Sequence, residues 1–153
     1  MKKAFQYFII LLLISPIYNQ TTNFNFSADI VSRYIWRGSE YGKFNNNHNS
    51  PHIQPTAAFS IILNNSTTLS LGFWGSYGFN GDYSENDLYL NAFIPTEIID
   101  LSITLNDYYY PMYGINITNF DGEGKGAHTL EGNIVLTLKN IPLKFMISNN
   151  IHN

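Results

Sequence analysis

The feature that most constrains the fold is a two-residue alternation of apolar and polar side chains that runs from Phe26 onward. Successive side chains of a β-strand point to opposite faces, so this period predicts strands with one apolar and one polar face. After the N-terminal segment, no stretch repeats apolar residues at helical spacing over several turns. The chain is therefore predicted to be all-β.

Turn-forming residues divide the alternating region into about seven predicted strands. The fourth is ambiguous, because Tyr89 and Phe93 share a face with Asn91. Most of the seven are close to the length of about 9 to 11 residues that a strand needs to cross a bilayer. The predicted strands are Phe26–Arg37, His52–Leu63, Thr68–Phe79, Asp87–Ile94, Asp100–Tyr110, His128–Lys139 and Pro142–Asn149.

The connections between these strands alternate in length. Segments 38–51, 80–86 and 111–127 are long, whereas 64–66, 95–97 and 140–142 are short. Outer-membrane barrels alternate long extracellular loops with short periplasmic turns in this way. The pattern predicts an antiparallel up-and-down transmembrane β-barrel, and a soluble β-sandwich of the periplasm is the weaker alternative.

Composition favours lipid as the environment of the apolar faces. Charged residues make up 12% of the chain, against roughly a quarter in soluble domains. The polar faces carry mostly Ser, Thr, Asn, Gln and Gly, which suit a wet lumen. The net charge of -3 argues against a nucleic-acid partner, since such proteins carry a basic patch. With no cysteine, the chain has neither disulfides nor thiolate metal sites.

Aromatic side chains cluster where the predicted strands end. Such positions match the aromatic girdles that lie at the two membrane interfaces. Because aromatics favour strands in general, the same residues could instead form the core of a soluble sheet. The predicted interface aromatics are Tyr34, Trp36, Tyr77, Phe79, Tyr108, Tyr109 and Tyr110.

The N-terminus predicts export. Met1–Lys3 is positively charged, residues 8–14 are wholly apolar, and Ser15-Pro16 interrupts the run. The apolar run is much shorter than the roughly 20 residues of a spanning helix, and it fits a secretory signal better than a retained anchor. Residues 1–20 are predicted to be a signal peptide and 24–153 an outer-membrane β-barrel domain.

The strand count predicts that the barrel continues beyond Asn153. Bacterial single-chain barrels have even strand numbers, and an open edge in lipid leaves backbone groups without partners. Seven strands would end on the extracellular side, so at least one more strand is expected.

Charged residues of the first predicted strand are the candidates for lining the lumen. Asp29, Arg33 and Arg37 share one face of that strand, and charges on a pore wall tune ion selectivity. In a small, filled barrel each would instead be neutralised by a neighbouring strand. A further alternative is that Arg37-Gly38 marks the exit into the first loop.

Motifs for catalysis or metal binding are lacking. His48 and His52 flank Pro51, which argues against the helix that their spacing would need. His128 has no nucleophile or acid at a diagnostic spacing. Five loop acids lack the spacing of a calcium loop, namely Glu40, Asp82, Glu85, Asp121 and Glu123. No enzyme activity, metal or cofactor is predicted.

The segment Ser27–Gly38, with the sequence SADIVSRYIWRG, resembles the opening strand of the TorF porin family, also described as Gcw_chp-domain proteins. Residues 55–61 and the run LGFWGS at 71–76 are similar to the segments that follow in that family. The resemblance covers roughly residues 26–111. It implies an outer-membrane barrel longer than this chain that passes small solutes.

The predicted function is that of a porin-like barrel whose polar lumen lets small solutes diffuse across the outer membrane. Its partners would be outer-membrane lipid and the solutes, and its oligomeric state is left open. The alternative is a small plugged barrel with a structural or surface-interaction role. Strand number separates these two, because small barrels are filled by side chains and larger ones leave a channel.

Overall fold

The computed structural model describes residues 20–42, 50–63 and 66–152. The predicted signal peptide lies outside this part except for Gln20, as do His48 and Asn153. Within the described ranges, no helix is long and apolar enough to cross a membrane. The strands are β1 (Thr21–Val31), β2 (Ile35–Trp36), β3 (Ser39–Glu40), β4 (His52–Ile62), β5 (Thr68–Gly78), β6 (Ser84–Pro95), β7 (Ile99–Tyr109), β8 (His128–Leu138) and β9 (Lys144–His152), with a short 3₁₀ turn at Pro111–Tyr113.

Seven strands form a single antiparallel sheet in the order β1-β4-β5-β6-β7-β8-β9. From β4 onward each strand pairs with the next one in the chain, which is an up-and-down meander. The prediction of an all-β, antiparallel fold is confirmed. Within the described residues β1 and β9 are the edges of the sheet, and the sheet does not close into a barrel.

Six of the predicted strands occur within three residues of their predicted bounds, but the first was wrong at both ends. β1 begins at Thr21 and stops at Val31, where the backbone bends at Ser32 and Arg33. Beyond the bend, β2 and β3 form a small hairpin with the register Ile35↔Glu40.

The hairpin turn explains why the strand prediction failed. Arg37 and Gly38 both have positive φ, 48° and 78°. Positive φ at both central residues is the feature of a type I′ turn, whose twist matches that of the flanking strands. An Arg-Gly turn is a weaker signal than Asn-Gly, so the alternating pattern concealed the reversal of the chain.

The registers place like residues side by side across the sheet. One cross-strand row contains Phe24, Phe59, Leu71, Leu90 and Leu105. The next row, on the opposite face, is polar and contains Asn23, Ser60, Ser70, Asn91, Thr104, Asn133 and Ser148. We call these the apolar face and the polar face.

Burial runs opposite to that of a soluble sheet. Leu71 and Leu90 on the apolar face are 59% and 57% exposed. The buried apolar residues of the described part are Tyr34, Tyr83 and Ala127 alone. A larger set of polar side chains is buried, namely His52, Thr67, Ser76, Glu85, Asp87, His128, Glu131 and Asn133. Because buried polar groups are as a rule hydrogen-bonded, the packing of side chains over the polar face depends on hydrogen bonds between them.

Candidate lumen site

Residues 32–42, which contain the β2–β3 hairpin, fold back over the polar face. We call this segment the inner hairpin. Tyr34 is 4% exposed, and its ring centroid lies 5.3 Å from that of Trp74 in β5 and 5.8 Å from that of Tyr83. Aromatic pairs at such distances add stabilisation beyond simple burial. The start of the inner hairpin is therefore anchored on the polar face of β5.

The turn of the inner hairpin is anchored on the far side of the sheet. Arg37 donates from Nη2 to Glu131 Oε1 at 2.9 Å and from Nη1 to Oε2 at 3.0 Å. Its Nη2 also lies 3.1 Å from Ser148 Oγ in β9. The guanidinium is 3.9 Å from the ring centroid of Trp36, within the range of a cation–π contact. The inner hairpin thus bridges β5 to β8 and β9.

A cavity of about 580 Å³ lies between the inner hairpin and the polar face. This volume is in the range of small-molecule sites. The inner hairpin contributes Arg33 and residues 34–37, and β1 contributes Val31. Five further strands supply the rest of the lining: Gln54, Thr56, Trp74, Asp87, Tyr89, Asn106, Tyr108 and Asn133.

A buried carboxylate with three phenol partners closes one end of this region. Glu85 is 2% exposed and accepts a hydrogen bond from Tyr83 Oη at 2.7 Å. The Tyr34 and Tyr110 phenols lie close enough to Glu85 to interact with its carboxylate electrostatically. Burial raises the pKa of the Tyr34, Tyr83 and Tyr110 phenols, and the negative charge of Glu85 raises it further. We call these four residues the tyrosine cluster.

Asp87 lies two residues further along β6 and lines the cavity. It is 9% exposed, and its Oδ1 has no hydrogen-bond partner among the described residues. Its cross-strand neighbours are Trp74 and Tyr108. A buried carboxylate oxygen without a partner is costly, so Asp87 is the most unusual side chain of the cavity.

The three lumen candidates do not share one strand face, because the strand on which they were predicted ends at Val31. Asp29 is exposed near the end of the edge strand β1, opposite Gln54. Arg33 lies in the bend, lines the cavity and is 3.6 Å from Glu40. Arg37 also lines the cavity and binds Glu131, a partner that the sequence did not reveal.

The seven predicted interface aromatics divide between the two faces. Tyr77, Phe79 and Tyr109 lie on the apolar face or just beyond the strand end, and Phe79 is 60% exposed. The other four turn to the polar face instead. Tyr34 and Tyr110 belong to the tyrosine cluster around Glu85, whereas Trp36 and Tyr108 line the cavity, with Tyr108 Oη 2.8 Å from Glu131 Oε1.

Two histidines have partners that sequence reasoning missed. His52 Nδ1 is 2.9 Å from Ser76 Oγ. His128 Nδ1 is 2.8 Å from Asp107 Oδ1, and its Nε2 is 2.6 Å from the carbonyl oxygen of Ile117. Because both ring nitrogens of His128 already face oxygens, this pair ties the loop to β7 and leaves no nitrogen for a substrate.

Glu85 and Glu131 also went unrecognised as parts of a site, since Glu85 was assigned to a loop. In the predicted strand His128–Lys139, Glu131 follows Leu130 and shares the polar face with Thr129 and Asn133, and this alternation was the one available signal. In the part of the chain that the structure describes, no group of three or more His, Asp or Glu side chains could hold a metal ion.

Comparison of the chain with family models, with curated proteins and with solved structures finds no match.

Proposed function

We propose that this chain forms part of the wall of an outer-membrane β-barrel through which small solutes diffuse passively. The observation that carries the proposal is the inverted burial of the sheet. Apolar side chains such as Leu71 and Leu90 are exposed, whereas Glu85, Asp87 and Glu131 are buried. A wall between lipid and a polar lumen has this arrangement.

The length of the strands supports the same proposal. All seven strands of the sheet have 9 to 12 residues, which suits tilted spans of the hydrocarbon core. The edges β1 and β9 must pair with further strands if the sheet is to lie in lipid. The resemblance of Ser27–Gly38 to the TorF family agrees with a barrel of more strands.

In this proposal the inner hairpin narrows the solute pathway. Arg33 and Arg37 project from it into the cavity, and Asp87 and Asn133 face them from the wall. Charges at a constriction tune ion selectivity. Arg33, Arg37 and Asp29 are the residues that we propose to line the lumen.

A plugged barrel with a structural or surface role is the second candidate. Its support is the density of contacts under the inner hairpin, where Arg37 has three side-chain partners and Tyr34 is almost wholly buried. Small barrels are filled by side chains in this manner.

The test begins with the full-length protein produced in a Gram-negative host. It should stay in membranes washed with urea and dissolve only in detergent. Recovery in the soluble periplasmic fraction would overturn the membrane assignment. Purified protein in planar bilayers should then give stable conductance steps, whereas insertion without conductance would favour the plugged barrel.

A further inference from the structure

We propose that the cavity beneath the inner hairpin binds a small organic cation, with the Asp87 carboxylate as its counter-charge and Trp74 as an aromatic wall. The inference deepens the proposed function, on which it rests, because it names the chemical class of solute that the pathway would select.

Asp87 carries the argument. Its side chain lines the cavity, it is nine-tenths buried, and its Oδ1 lacks a hydrogen-bond donor in the described part of the chain. Burying such an anion without compensation is unfavourable. A cation bound beside the carboxylate would supply the missing compensation, since buried charges are stable only when they are paired.

The remaining charges around the cavity are already paired. Arg37 is neutralised by Glu131 through two hydrogen bonds. Arg33 lies 3.6 Å from Glu40. The carboxyl group that lines the cavity without a cationic partner is therefore that of Asp87.

The aromatic lining fits an organic cation. Trp74 and Tyr108 are the direct cross-strand neighbours of Asp87, and Tyr89 lies two residues along β6. Cations bind favourably over such rings, with Trp the strongest. Trp36 is not counted here, because the Arg37 guanidinium already lies over its ring.

The donor set disfavours a bare metal ion. Asp87 is the only carboxylate that lines the cavity within the described residues. Hard cations such as Ca²⁺ need about six to eight oxygen ligands. An ammonium head group needs one anion and an apolar or aromatic surround, which the cavity supplies.

Choline and its neutral isostere, in which carbon replaces the quaternary nitrogen, provide the test. The full-length protein in detergent is titrated with each while tryptophan fluorescence is recorded. Trp36 and Trp74 both line the cavity, so their fluorescence reports on binding there. We expect a saturable change with choline and none with the isostere at the same concentrations.

Two variants assign the site. Asp87→Asn keeps the shape and removes the charge, so choline affinity should fall by about tenfold or more. The matched control, Asp100→Asn, removes a charge from the far end of the same face and should bind within about twofold of wild type, because Asp100 pairs with Lys139 and does not line the cavity.

Equal binding of choline and the isostere would overturn the proposal, as would unchanged affinity in Asp87→Asn. If Asp87→Asn fails to fold, Trp74→Leu provides the test, with the fluorescence of Trp36 as the readout. Trp74→Leu should weaken choline binding several-fold, and an unchanged affinity would again reject the site. A protein that conducts in bilayers but does not bind choline would contradict this inference alone. A protein that does not insert into membranes would contradict the proposed function instead.

Discussion

Arg37 in the hairpin turn and Glu131 in β8 are joined by two nearly parallel hydrogen bonds of 2.9 Å and 3.0 Å, although 94 residues separate them in the chain. The pair is unevenly placed, because the Arg37 side chain is 36% exposed and that of Glu131 only 7%. Removing Arg37 should therefore change the stability of the protein by a different amount from removing Glu131, and the difference can be measured.

Arg37→Ala should lower the free energy of unfolding by about 1–2 kcal/mol, because it leaves the Glu131 carboxylate buried without its cation. Glu131→Gln should cost less, below about 1 kcal/mol, since the guanidinium that remains reaches solvent. Urea unfolding in lipid vesicles, followed by tryptophan fluorescence, measures both. Equal losses in the two variants would contradict the uneven burial on which the prediction depends.

This pair also shows what the sequence could and could not predict. Alternation placed Glu131 on a polar face and located six strands closely, because period two is a local property. The contact of Arg37 depends on the reversal at Arg37-Gly38 and on a meander of seven strands. No local pattern encodes a contact over that distance.

The tyrosine cluster predicts a pH dependence. The pKa of the Tyr34, Tyr83 and Tyr110 phenols is raised above the ordinary value of 10.0, first by burial and then by Glu85. A raised pKa favours the neutral phenol in the folded state, so its stabilisation is fully present below pH 10 and is lost as the pH rises above it. Unfolding titrations at alkaline pH should show this loss, with tyrosinate absorbance appearing as the protein unfolds.

Tyr83→Phe is the variant that isolates one phenol of the cluster. It removes the 2.7 Å hydrogen bond to the buried Glu85 and should cost about 1–3 kcal/mol at neutral pH. Its alkaline loss of stability should be smaller than that of wild type, because one of the three phenols is gone. A wild-type protein equally stable on both sides of pH 10 would refute the prediction.

Neighbouring residues on β5 test which face meets lipid. Leu71 is 59% exposed, whereas Ser70 faces the polar side and bonds to Ser60 at 2.8 Å. Leu71→Arg should destabilise the protein in vesicles by about 2–4 kcal/mol if it lies near mid-depth, and Ser70→Arg by about 1 kcal/mol through its lost hydrogen bond. On a water-facing surface Leu71→Arg would change stability by less than about 0.5 kcal/mol, which would sink the membrane assignment.

Gly72 is required by the ring of Tyr89. The two residues are cross-strand neighbours, and a Cβ at Gly72 would overlap Tyr89 Cζ. Gly72→Ala should therefore displace the ring and cost about 1 kcal/mol. In a Tyr89→Leu background the same change should cost much less, because the clash is gone. A double-mutant cycle by urea unfolding measures this coupling, and additive losses would show that the ring is not held there.

The alternating pattern includes both residues of that contact but does not predict that they touch. In the sequence, Gly72 lies between Leu71 and Phe73 and so falls on the polar face of its predicted strand, whereas Tyr89 is an exception in an ambiguous strand. The structure resolves the exception, since the Tyr89 ring covers a glycine rather than breaking the pattern. Such packing depends on the register between two strands, which turn sequences alone do not determine.

The last prediction concerns the inner hairpin as a constriction. Arg37→Ala breaks the anchor on β8 and β9 while leaving the Tyr34 contacts with β5 in place. If the hairpin narrows an open pathway, single-channel conductance in planar bilayers should rise severalfold and cation preference should increase, because a positive charge leaves the lumen wall. Lys144→Ala, at the first residue of β9, removes an equal charge from a side chain that is exposed and should leave the conductance near the wild-type value. A plugged barrel would instead stay closed in both variants, because the contacts of Tyr34 would still fill the lumen.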